Sequence, residues 1–239
     1  MIEIKVPENK RLVWYLALEE YLAATVKEEE IFFWVVPPTV IFGRHQVMAN
    51  EVNTAYCEQH DVKMYRRKSG GGCVYADRGN LMTSYISPST HSEEVFQRYL
   101  DNLAGALQKM GYAAAKTEHN DVLVGDRKVS GNACYALPTG TIVHGTMLWD
   151  VDFAALQEAI TPSKEKLAKH GVESVRQRVV NLKSVSDGDN YPHDIRDLQH
   201  RLSENMTTQV VELSAEALHA VDEIEQTYLD PDFLYDKLD

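Results

Sequence analysis

The sequence predicts an α+β fold, with a mixed, largely antiparallel sheet and helices packed on its outside. Two observations support this. Over the first two-thirds of the chain, short apolar runs typical of strands outnumber helical patterns, and most of them lie close enough in sequence to pair as hairpins. The 239 residues also contain no repeat, low-complexity tract or convincing linker. We therefore expect one domain over residues 1–239.

The elements follow from hydrophobic spacing. Strands are predicted at 1–6, 31–36, 39–43, 62–67, 73–87 and 142–149, with a hairpin at 122–129 that turns at Gly125-Asp126, a small-residue segment at 130–133 and a last strand at 207–213. Helices are predicted at 8–27, 51–60, 92–111, 153–160, 194–205 and 214–228, and a charged, partly helical connector at 164–182. The helix at 8–27 has the spacing of an amphipathic helix with its charges on the far side.

Composition excludes several classes of function. The formal net charge of −12 argues against nucleic acid as the main partner, because phosphate contacts need a basic face. Three irregularly spaced cysteines form neither a disulfide framework nor a zinc signature. No apolar run is long enough to span a membrane, and the N-terminus lacks the pattern of a signal peptide. We expect a soluble protein of the cytoplasm, without a membrane partner.

The three consecutive glycines Gly70, Gly71 and Gly72 are the most unusual local feature. Such runs persist mainly where backbone must approach something closely, because glycine loses the most conformational entropy on folding. Three cations and a hydroxyl precede them at 66–69, and strands are predicted on both sides. Backbone amides beside a guanidinium suit a small anionic ligand. The alternative is a flexible turn in a basic patch. The polar residues 44–46 are either ligand contacts or a loop.

A second polar group surrounds the predicted hairpin. A lysine there, Lys128, is a compact charge that can bridge a carboxylate and a phosphate, although most hairpin lysines are simply exposed. Asp121 could hold a metal or cap a turn, and His144 could contact a ligand or belong to the core. Hairpin geometry would bring the whole group onto one face, and its members are Asn120, Asp121, Lys128, Gly131, His144 and Gly145.

Together these segments resemble one family. RRKSGGGCVYADRGNL is similar to the RRxSGGGxVYHDxGN motif of lipoate–protein ligases. NDVLVGDRKVSGNACY and HGTMLWDVD resemble that family's NDLxxxGRKxSGSA and HHGTLL elements. PPTVIFGRHQ resembles its VxxGRxQ strand, and LAKHGVESVRQRVVNL resembles its KGVxSVRSRVTNL connector. The resemblance covers roughly residues 16–182, and it is the ordered combination that makes it specific.

The resemblance implies a biotin/lipoate ligase-like catalytic domain. Lipoate would be activated with Mg-ATP to an acyl adenylate, and the lipoyl group would pass to a lysine of an apo lipoyl domain, either in E2 subunits of 2-oxoacid dehydrogenases or in the glycine cleavage H protein. Because lipoate has an apolar tail and one charged end, we expect an apolar channel that ends at the 66–72 corner.

The resemblance also implies roles for single residues. Arg67, Ser69 and the glycine run Gly70 to Gly72 would line the lipoyl and phosphate site. Lys128 would contact both the carboxylate and the α-phosphate, while Asn120 and Asp121 would face the adenine and the metal, with Asp121 as the metal ligand. The other expected ligand contacts are Cys73, Asn80, Gly131, Ala133 and His144.

Two residues depart from the family pattern. Ala76 stands where the motif usually has histidine, and Met82 where asparagine is commoner. We also expect no C-terminal accessory domain of the kind that longer ligases carry. If that domain is needed for activation, it would be a separate polypeptide, or this chain would transfer preformed lipoyl adenylate.

Three other classes of protein are alternatives. An octanoyltransferase would take its acyl group from a carrier-protein thioester, with Cys73 or Cys134 as a candidate nucleophile. A biotin ligase is disfavoured because RRKSGGG stands where that class has a GRGRxGR-type loop. A non-catalytic paralogue would be expected to have lost Lys128 or the glycine run.

Overall fold

The computed structural model describes residues 1–160 and 178–235. Within these ranges, an eight-stranded sheet has the order β11-β1-β2-β6-β10-β9-β8-β7, and a three-stranded sheet has the order β4-β3-β5. The strands are β1 (Ile2–Lys5), β2 (Glu30–Trp34), β3 (Thr39–Phe42), β4 (Lys63–Arg66), β5 (Val74–Ala76), β6 (Asn80–Ser87), β7 (Ala114–Lys116), β8 (Asp121–Val124), β9 (Arg127–Leu137), β10 (Gly140–Leu148) and β11 (Gln209–Glu212).

The pairing is mixed and largely antiparallel, as predicted. From β2 through β6, β10, β9 and β8 to β7, every neighbouring pair in the large sheet is antiparallel, whereas β1 pairs in parallel with both β2 and β11. In the small sheet, β3 pairs in parallel with β4 and antiparallel with β5. The predicted α+β fold class is therefore confirmed.

Helices cover both faces of the large sheet, and others pack against the small sheet. They are α1 (Leu12–Thr25), α2 (Met48–Glu51), α3 (Thr54–Gln59), α4 (Ser92–Lys109), α5 (Phe153–Ala159), α6 (Ile195–Met206), α7 (Ala215–Leu229) and α8 (Pro231–Tyr235), with a 3₁₀ turn at Leu182–Val185. Alternation along the strands separates two cores: Ile31 and Phe33 of β2 face α4 and α6, whereas Phe32 and Trp34 face α1 and α7. Among the described residues, no helix is both long and apolar enough to cross a membrane.

The prediction of an amphipathic first helix is wrong. α1 is buried around most of its circumference, because the large sheet covers one side and α7 covers another. Arg11 pairs with Glu225 of α7 at 3.0 Å, and the indole of Trp14 donates to Asp222 at 2.7 Å. Glu19, predicted to lie on an exposed charged face, is only 3% exposed. α1 is covered by a distant part of the chain, and such tertiary burial cannot be predicted from local hydrophobic periodicity.

The helix predicted at 51–60 is interrupted and becomes α2 and α3. Val52 leaves helical geometry at φ −121° and ψ 131°, and it forms an isolated bridge with Ile160. Asn53 then caps α3 by accepting from the Tyr56 amide at 3.2 Å. Burial of Val52 against α5 outweighs helix continuity at this point.

The strand predicted at 73–87 is wrong as a single element, because it divides into β5 of the small sheet and β6 of the large sheet. The other boundaries agree with the sequence to within a few residues, with three additions. The hairpin turns at Gly125 with a φ of +63°, and β9 continues through the small-residue segment 130–133 rather than ending before it. The short elements β7 and α8 were not predicted. Most of the predicted connector, residues 164–177, lies outside the described residues.

Candidate functional site

A cavity of about 490 Å³ lies between the large sheet, α1, the glycine corner and α5. Sheet register arranges its floor in three rows across β6, β10 and β9. The first row is His144 and Ala133, with the fully buried Ser84 beside them on β6. The second row is Met82, Thr146 and Gly131, and the third begins with Asn80 and Leu148. Leu16 and Trp34 line one end, whereas Phe153, Leu156 and Ile160 line the wall at α5. The corner therefore borders a cavity, as predicted, instead of packing wholly into a core.

Arg67 shapes the glycine corner. Its guanidinium is buried and donates to the backbone carbonyls of Gly70 at 2.7 Å, Gly72 at 2.7 Å and Ile41 at 3.3 Å. No carboxylate pairs with it among the described residues, and burial lowers the pKa of Arg67 to about 10. An arginine held this way remains a cation at neutral pH, and its charge is poorly screened.

Close backbone contact explains two glycines at this corner. Gly71 has a φ of +96°, which side-chain-bearing residues rarely adopt. A Cβ on Gly43, at the end of β3, would lie 2.3 Å from the Gly71 carbonyl oxygen, so only glycine allows the two segments to meet. The amide of Arg44 donates to the Ser69 carbonyl at 3.0 Å and fixes the same contact.

The other two cations of the basic run do not line the cavity. Arg66 is buried and donates to the carbonyls of Arg44 and Gln46 at 2.8 Å and of Phe233 at 2.9 Å, which ties the corner to α8. Lys68 pairs with Glu20 of α1 at 2.9 Å. The exposed side chains Arg44 and His45 are also outside the lining, which favours the loop alternative for residues 44–46.

A buried chain of hydrogen bonds joins the corner to α1. Ser69 Oγ lies 2.9 Å from His144 Nε2, and His144 Nδ1 lies 3.1 Å from Glu19 Oε2. The other oxygen of Glu19 accepts from Ser84 at 2.5 Å, and Ser84 accepts from the Trp34 indole at 2.9 Å. Glu19 is a site residue that sequence reasoning missed; its signal was the Glu19-Glu20 pair within an otherwise apolar helix.

Lys128 extends over its own strand and into the cavity. Its Nζ lies 2.8 Å from Asp121 Oδ1 on β8, and a Cβ on Gly131 would be only 2.7 Å from both Cε and Nζ of the lysine. Because Gly131 lacks a Cβ, the ammonium group can occupy the second row of the floor. The sequence motif thus places a lysine and the space that it needs on the same strand.

Asn120 and Asn132 join the start of β8 to β9 through two side-chain hydrogen bonds. The Asn120 side chain donates to the Asn132 carbonyl at 3.1 Å, and the Asn132 side chain donates to the Asn120 carbonyl at 3.0 Å. Both residues line the cavity. Asn132 was not predicted as a site residue, although it stands inside the small-residue segment 130–133.

Most of the predicted site residues border the cavity. Those that line it are Arg67, Gly71, Gly72, Cys73, Asn80, Asn120, Lys128, Gly131, Ala133 and His144. Three do not: Ser69 is bonded to His144 behind the wall, Gly70 accepts from Arg67, and Asp121 lies behind Lys128. Of the two departures from the motif, Met82 lines the cavity, whereas Ala76 is buried in the core beside α1.

The cysteines differ in their surroundings. Cys73 borders the cavity. Burial raises the pKa of the Cys134 thiol to about 11, which leaves little thiolate near neutral pH. Cys57 is fully buried, and burial raises the pKa of its thiol as well.

The described residues contain no group of three His, Cys, Asp or Glu side chains able to hold a metal ion. The single carboxylate of Asp121, whose Oδ1 lies 2.8 Å from Lys128 Nζ, fits only a metal that takes most of its ligands from elsewhere. Mg²⁺ behaves this way, since it commonly keeps several waters and binds one or two carboxylates together with substrate phosphates.

Comparison with known proteins gives a consistent result. The sequence model of the lipoyl protein ligase A/B catalytic domain matches residues 13–207. Lipoate–protein ligase 1 of Staphylococcus aureus is 37% identical over 170 residues, which are 70% of this chain and 52% of that protein. The chain spans between 52% and 64% of the length of the curated relatives that it matches.

Two solved structures share the whole fold. A bipartite lipoate protein ligase from Thermoplasma acidophilum, described together with its E2 lipoyl domain, has a TM-score of 0.84 at 22% identity, and the match covers 100% of this chain and 96% of that one. A lipoate–protein ligase A bound with ATP has a TM-score of 0.83 at 21% identity, with 99% of each chain covered. At these identities the likeness establishes the fold.

Proposed function

Because the chain belongs to the family of lipoyl protein ligase A/B catalytic domains, we propose that it is a lipoate–protein ligase. It activates lipoate with Mg-ATP to lipoyl adenylate and transfers the lipoyl group to a lysine of an apo lipoyl domain. The observation that carries this proposal is the position of Lys128, whose ammonium group stands over Gly131 in the middle of the cavity. One end of the cavity is apolar, and the other leads to α5.

The cavity suits the three parts of lipoyl adenylate. An apolar acyl tail fits between Leu16, Trp34 and Met82, which are buried residues of the lining. The carboxyl and the α-phosphate then lie near Lys128, with Arg67 and the glycine amides on the opposite wall. The nucleoside lies toward α5. The order of acyl tail, phosphate and nucleoside follows from the rows of the cavity floor. The charged groups there lie between the apolar end at Leu16 and Trp34 and the α5 wall at Phe153.

In the first step a carboxylate oxygen of lipoate attacks the α-phosphorus, and the bond between the α-phosphorus and the leaving pyrophosphate breaks. Negative charge moves from the attacking oxygen to the non-bridging oxygens of the α-phosphate and to the leaving pyrophosphate oxygen, and Lys128 stabilises the charge on the α-phosphate as a fixed positive charge. In the second step the neutral amine of the acceptor lysine attacks the acyl carbon. The carbon–oxygen bond breaks, AMP leaves, and the nitrogen loses a proton. The attacking nucleophile belongs to the acceptor, so no cysteine of this chain is needed.

Asp121 would hold the Mg²⁺ that accompanies ATP. The ion would supply positive charge there that neutralises part of the charge on the phosphate oxygens. The carboxylate also lies 2.8 Å from Lys128 Nζ and so holds the ammonium group in place.

The acceptors would be E2 subunits and the glycine cleavage H protein, and the reaction would take place in the cytoplasm. A lipoyl-domain acceptor is supported by the bipartite relative that was studied with its E2 lipoyl domain. We further propose that residues 1–239 act as one catalytic domain and that an accessory polypeptide assists the activation step.

One experiment separates the candidate activities. The protein is incubated with an apo lipoyl domain and one donor at a time: lipoate plus Mg-ATP, synthetic lipoyl adenylate, or octanoyl carrier protein. The mass of the acceptor is then measured. Lipoylation from the first donor supports a complete ligase, and lipoylation from the adenylate alone supports the need for an accessory polypeptide. Acylation only from the carrier protein would contradict the proposal and favour the thioester transferase.

The same assay tests the role of Lys128. Lys128→Met should slow lipoylation from lipoate and ATP by roughly a hundred- to thousandfold, the usual effect of losing one preorganised charged contact. Lys27→Met is the matched control, because Lys27 is an exposed lysine outside the cavity wall. Equal activity of the two variants would remove Lys128 from the proposed mechanism.

A further inference from the structure

The three cations before the glycine corner have different partners. Arg67 lines the cavity and donates to the carbonyls of Gly70 and Gly72. Its neighbours Arg66 and Lys68 do not line the cavity, and each is bound to a helix from the far end of the chain, Arg66 to α8 and Lys68 to α7. The cavity-facing arginine is therefore held between two anchored residues.

Arg66 connects α8 to the loop that supports the corner. The side chain is 2% exposed. On one side, Nε donates to the Phe233 carbonyl at 2.9 Å and Nη2 donates to the Leu234 carbonyl at 3.3 Å. On the other side, Nη1 donates to the carbonyls of Arg44 and Gln46, both at 2.8 Å. Arginine suits this position because its planar group presents five N–H donors in fixed directions, whereas lysine offers three from a single atom.

α8 depends on this connection. With five residues, Pro231–Tyr235, it is much shorter than a helix that is stable alone. The last carbonyls of a helix have no partner inside it, and Arg66 donates to two of them here. Phe233 packs edge-on against Tyr228 of α7, with ring centroids 5.7 Å apart, while Leu234 packs with the core of the small sheet. α8 therefore bridges α7 and the small sheet.

Lys68 provides a second anchor, on α7. Its Nζ lies 2.9 Å from Glu20 Oε2, 3.2 Å from Thr227 Oγ1 and 4.4 Å from the centre of the Tyr228 ring. The Tyr228 hydroxyl donates to the other oxygen of Glu20. The side chains of Lys68 and Glu20 are only 22% and 20% exposed, so salt screens their attraction less than that of a surface pair.

The backbone transmits these anchors to the ligand site. The Arg67 amide donates to the Phe42 carbonyl at 3.0 Å, and the Arg44 amide donates to the Ser69 carbonyl at 3.0 Å. These bonds join the loop that Arg66 holds to the glycine corner. Movement of α8 away from the sheet would remove two acceptors from a buried cation, which is unfavourable. The position of the Arg67 guanidinium therefore depends on α8.

We propose that α7 and α8 set the position of Arg67 and the glycine corner, with Arg66 as the positioning residue through which α8 acts. This inference rests on the proposed ligase function, in which Arg67 and the corner bind the carboxyl and the α-phosphate. Arg66 itself contacts no ligand. Since a misplacement of about 1 Å can reduce a rate by roughly a hundredfold, loosening α8 should weaken ligand binding without removing any ligand contact.

Two variants of the full chain loosen the connection from opposite sides. Arg66→Lys keeps the positive charge but cannot reach the carbonyls of both segments at once. Phe233→Ala leaves Arg66 unchanged and removes the ring that packs against Tyr228 of α7. If Arg66→Lys does not fold, Phe233→Ala alone decides the outcome.

Matched control variants change the same residue types elsewhere. Arg201 of α6 pairs with Asp197 at 3.0 Å and donates to the Asn190 carbonyl at 2.7 Å, so Arg201→Met also removes an arginine that ties two segments together. Phe96 of α4 is half-buried on the opposite face of the large sheet, so Phe96→Ala also removes a packed ring. Neither residue lines the cavity.

Isothermal titration calorimetry measures the binding of a non-hydrolysable sulfamoyl analogue of lipoyl adenylate. Arg66→Lys and Phe233→Ala should each bind it about tenfold or more weakly than the wild type, and the controls should bind it within about twofold. The combined variant should bind no more weakly than the weaker single variant, because both changes break one connection. Wild-type affinity in both variants, losses that multiply in the combined variant, or equal losses in the controls would overturn the proposal.

Steady-state transfer from synthetic lipoyl adenylate separates positioning from a general loss of structure. Partial unfolding would lower the apparent kcat and leave both KM values unchanged, because only the folded fraction is active. In Arg66→Lys and Phe233→Ala the KM for the adenylate should instead rise about tenfold or more, while the KM for the acceptor lipoyl domain should stay the same. A fall in kcat alone would contradict the positioning role.

Hydrogen–deuterium exchange of the free protein gives a readout that does not depend on the ligase activity. Peptides covering 43–47 and 66–73 should exchange faster in Arg66→Lys and Phe233→Ala than in the wild type or the controls, because the amides of Arg44 and Arg67 are bonded there. Faster exchange in a protein that never forms or uses lipoyl adenylate would retain the inference and lose the ligase. Ligation with wild-type exchange and affinity in both variants would retain the ligase and lose the inference.

Discussion

Replacing Gly131 by alanine should damage catalysis while leaving the fold intact. The new Cβ would lie 2.7 Å from Cε and Nζ of Lys128. Carbon atoms make favourable contact only at about 3.5–4.0 Å, so the ammonium group must move by about 1 Å. A misplacement of this size can reduce the rate by roughly a hundredfold, equivalent to about 2.7 kcal/mol of transition-state stabilisation.

Stability should not fall with activity. The atoms that must yield are the far end of a flexible side chain, and alanine is favoured over glycine inside a strand by about 0.5–1 kcal/mol. We expect urea denaturation to give an equal or slightly higher free energy of unfolding for Gly131→Ala, while pyrophosphate release with lipoate and ATP slows. Gly105→Ala in α4 is the control, because a Cβ on Gly105 would have nothing within 4 Å and the activity should be unchanged.

A double variant tests the cause. If Gly131→Ala acts only by displacing Lys128, it should have little further effect once Lys128→Met has removed the ammonium group. Full activity of Gly131→Ala would refute the steric argument. Additive losses in the double variant would show that Gly131 acts on the ligand directly.

Three further predictions concern single side chains. Glu19→Gln should lower the free energy of unfolding by about 1–3 kcal/mol, because His144 loses a charged partner, and it should raise the KM for lipoate more than that for ATP; equal KM changes would place the effect elsewhere. Cys73→Ser and Cys134→Ser should each retain nearly full ligation, and mass spectrometry should find no acylated enzyme; an acyl group trapped on either thiol would favour the transferase. Burial, and then repulsion from Glu28, raise the pKa of Glu30 from 4.5 to about 7. The folded state therefore keeps a proton that the unfolded chain has lost, so stability should fall as pH rises from 4.5 to about 7. After allowance for the partial exposure of Glu30, Glu30→Gln should recover about 1–2 kcal/mol at pH 8 and less at pH 5 in urea denaturation; an equal gain at both would contradict the assignment.

The sequence contained most of the local structure. The hairpin between β8 and β9 was predictable because Gly125-Asp126 supplies a turn between two short apolar runs. The break between α2 and α3 was not, because Val52 is drawn out of the helix by Ile160, more than a hundred residues away. The burial of α1 also depends on α7, which lies almost at the other end of the chain.

In the candidate site, too, residues with local contacts were predictable and residues with distant partners were not. Arg67, Lys128 and Gly131 were predicted as site residues because each lies in a short segment where glycines and charged residues stand close together. The glycine corner and the hairpin are each formed by residues that are near one another in sequence. Glu19 escaped notice because its partner His144 is 125 residues away. Ser69 was expected to line the ligand site, yet its hydroxyl is bonded to His144 and lies behind the residues that line the cavity, a difference of depth that motif spacing cannot express.

The central claim is that lipoate is activated as an acyl adenylate, and an isotope transfer tests it most directly. Lipoate labelled with ¹⁸O in both carboxylate oxygens is incubated with the protein, Mg-ATP and an apo lipoyl domain, and the AMP produced is examined by mass spectrometry. Activation at the α-phosphorus predicts that each AMP carries one heavy oxygen and that Lys128→Met forms this labelled AMP far more slowly. Lipoylated acceptor accompanied by unlabelled AMP, or by no AMP, would contradict the account.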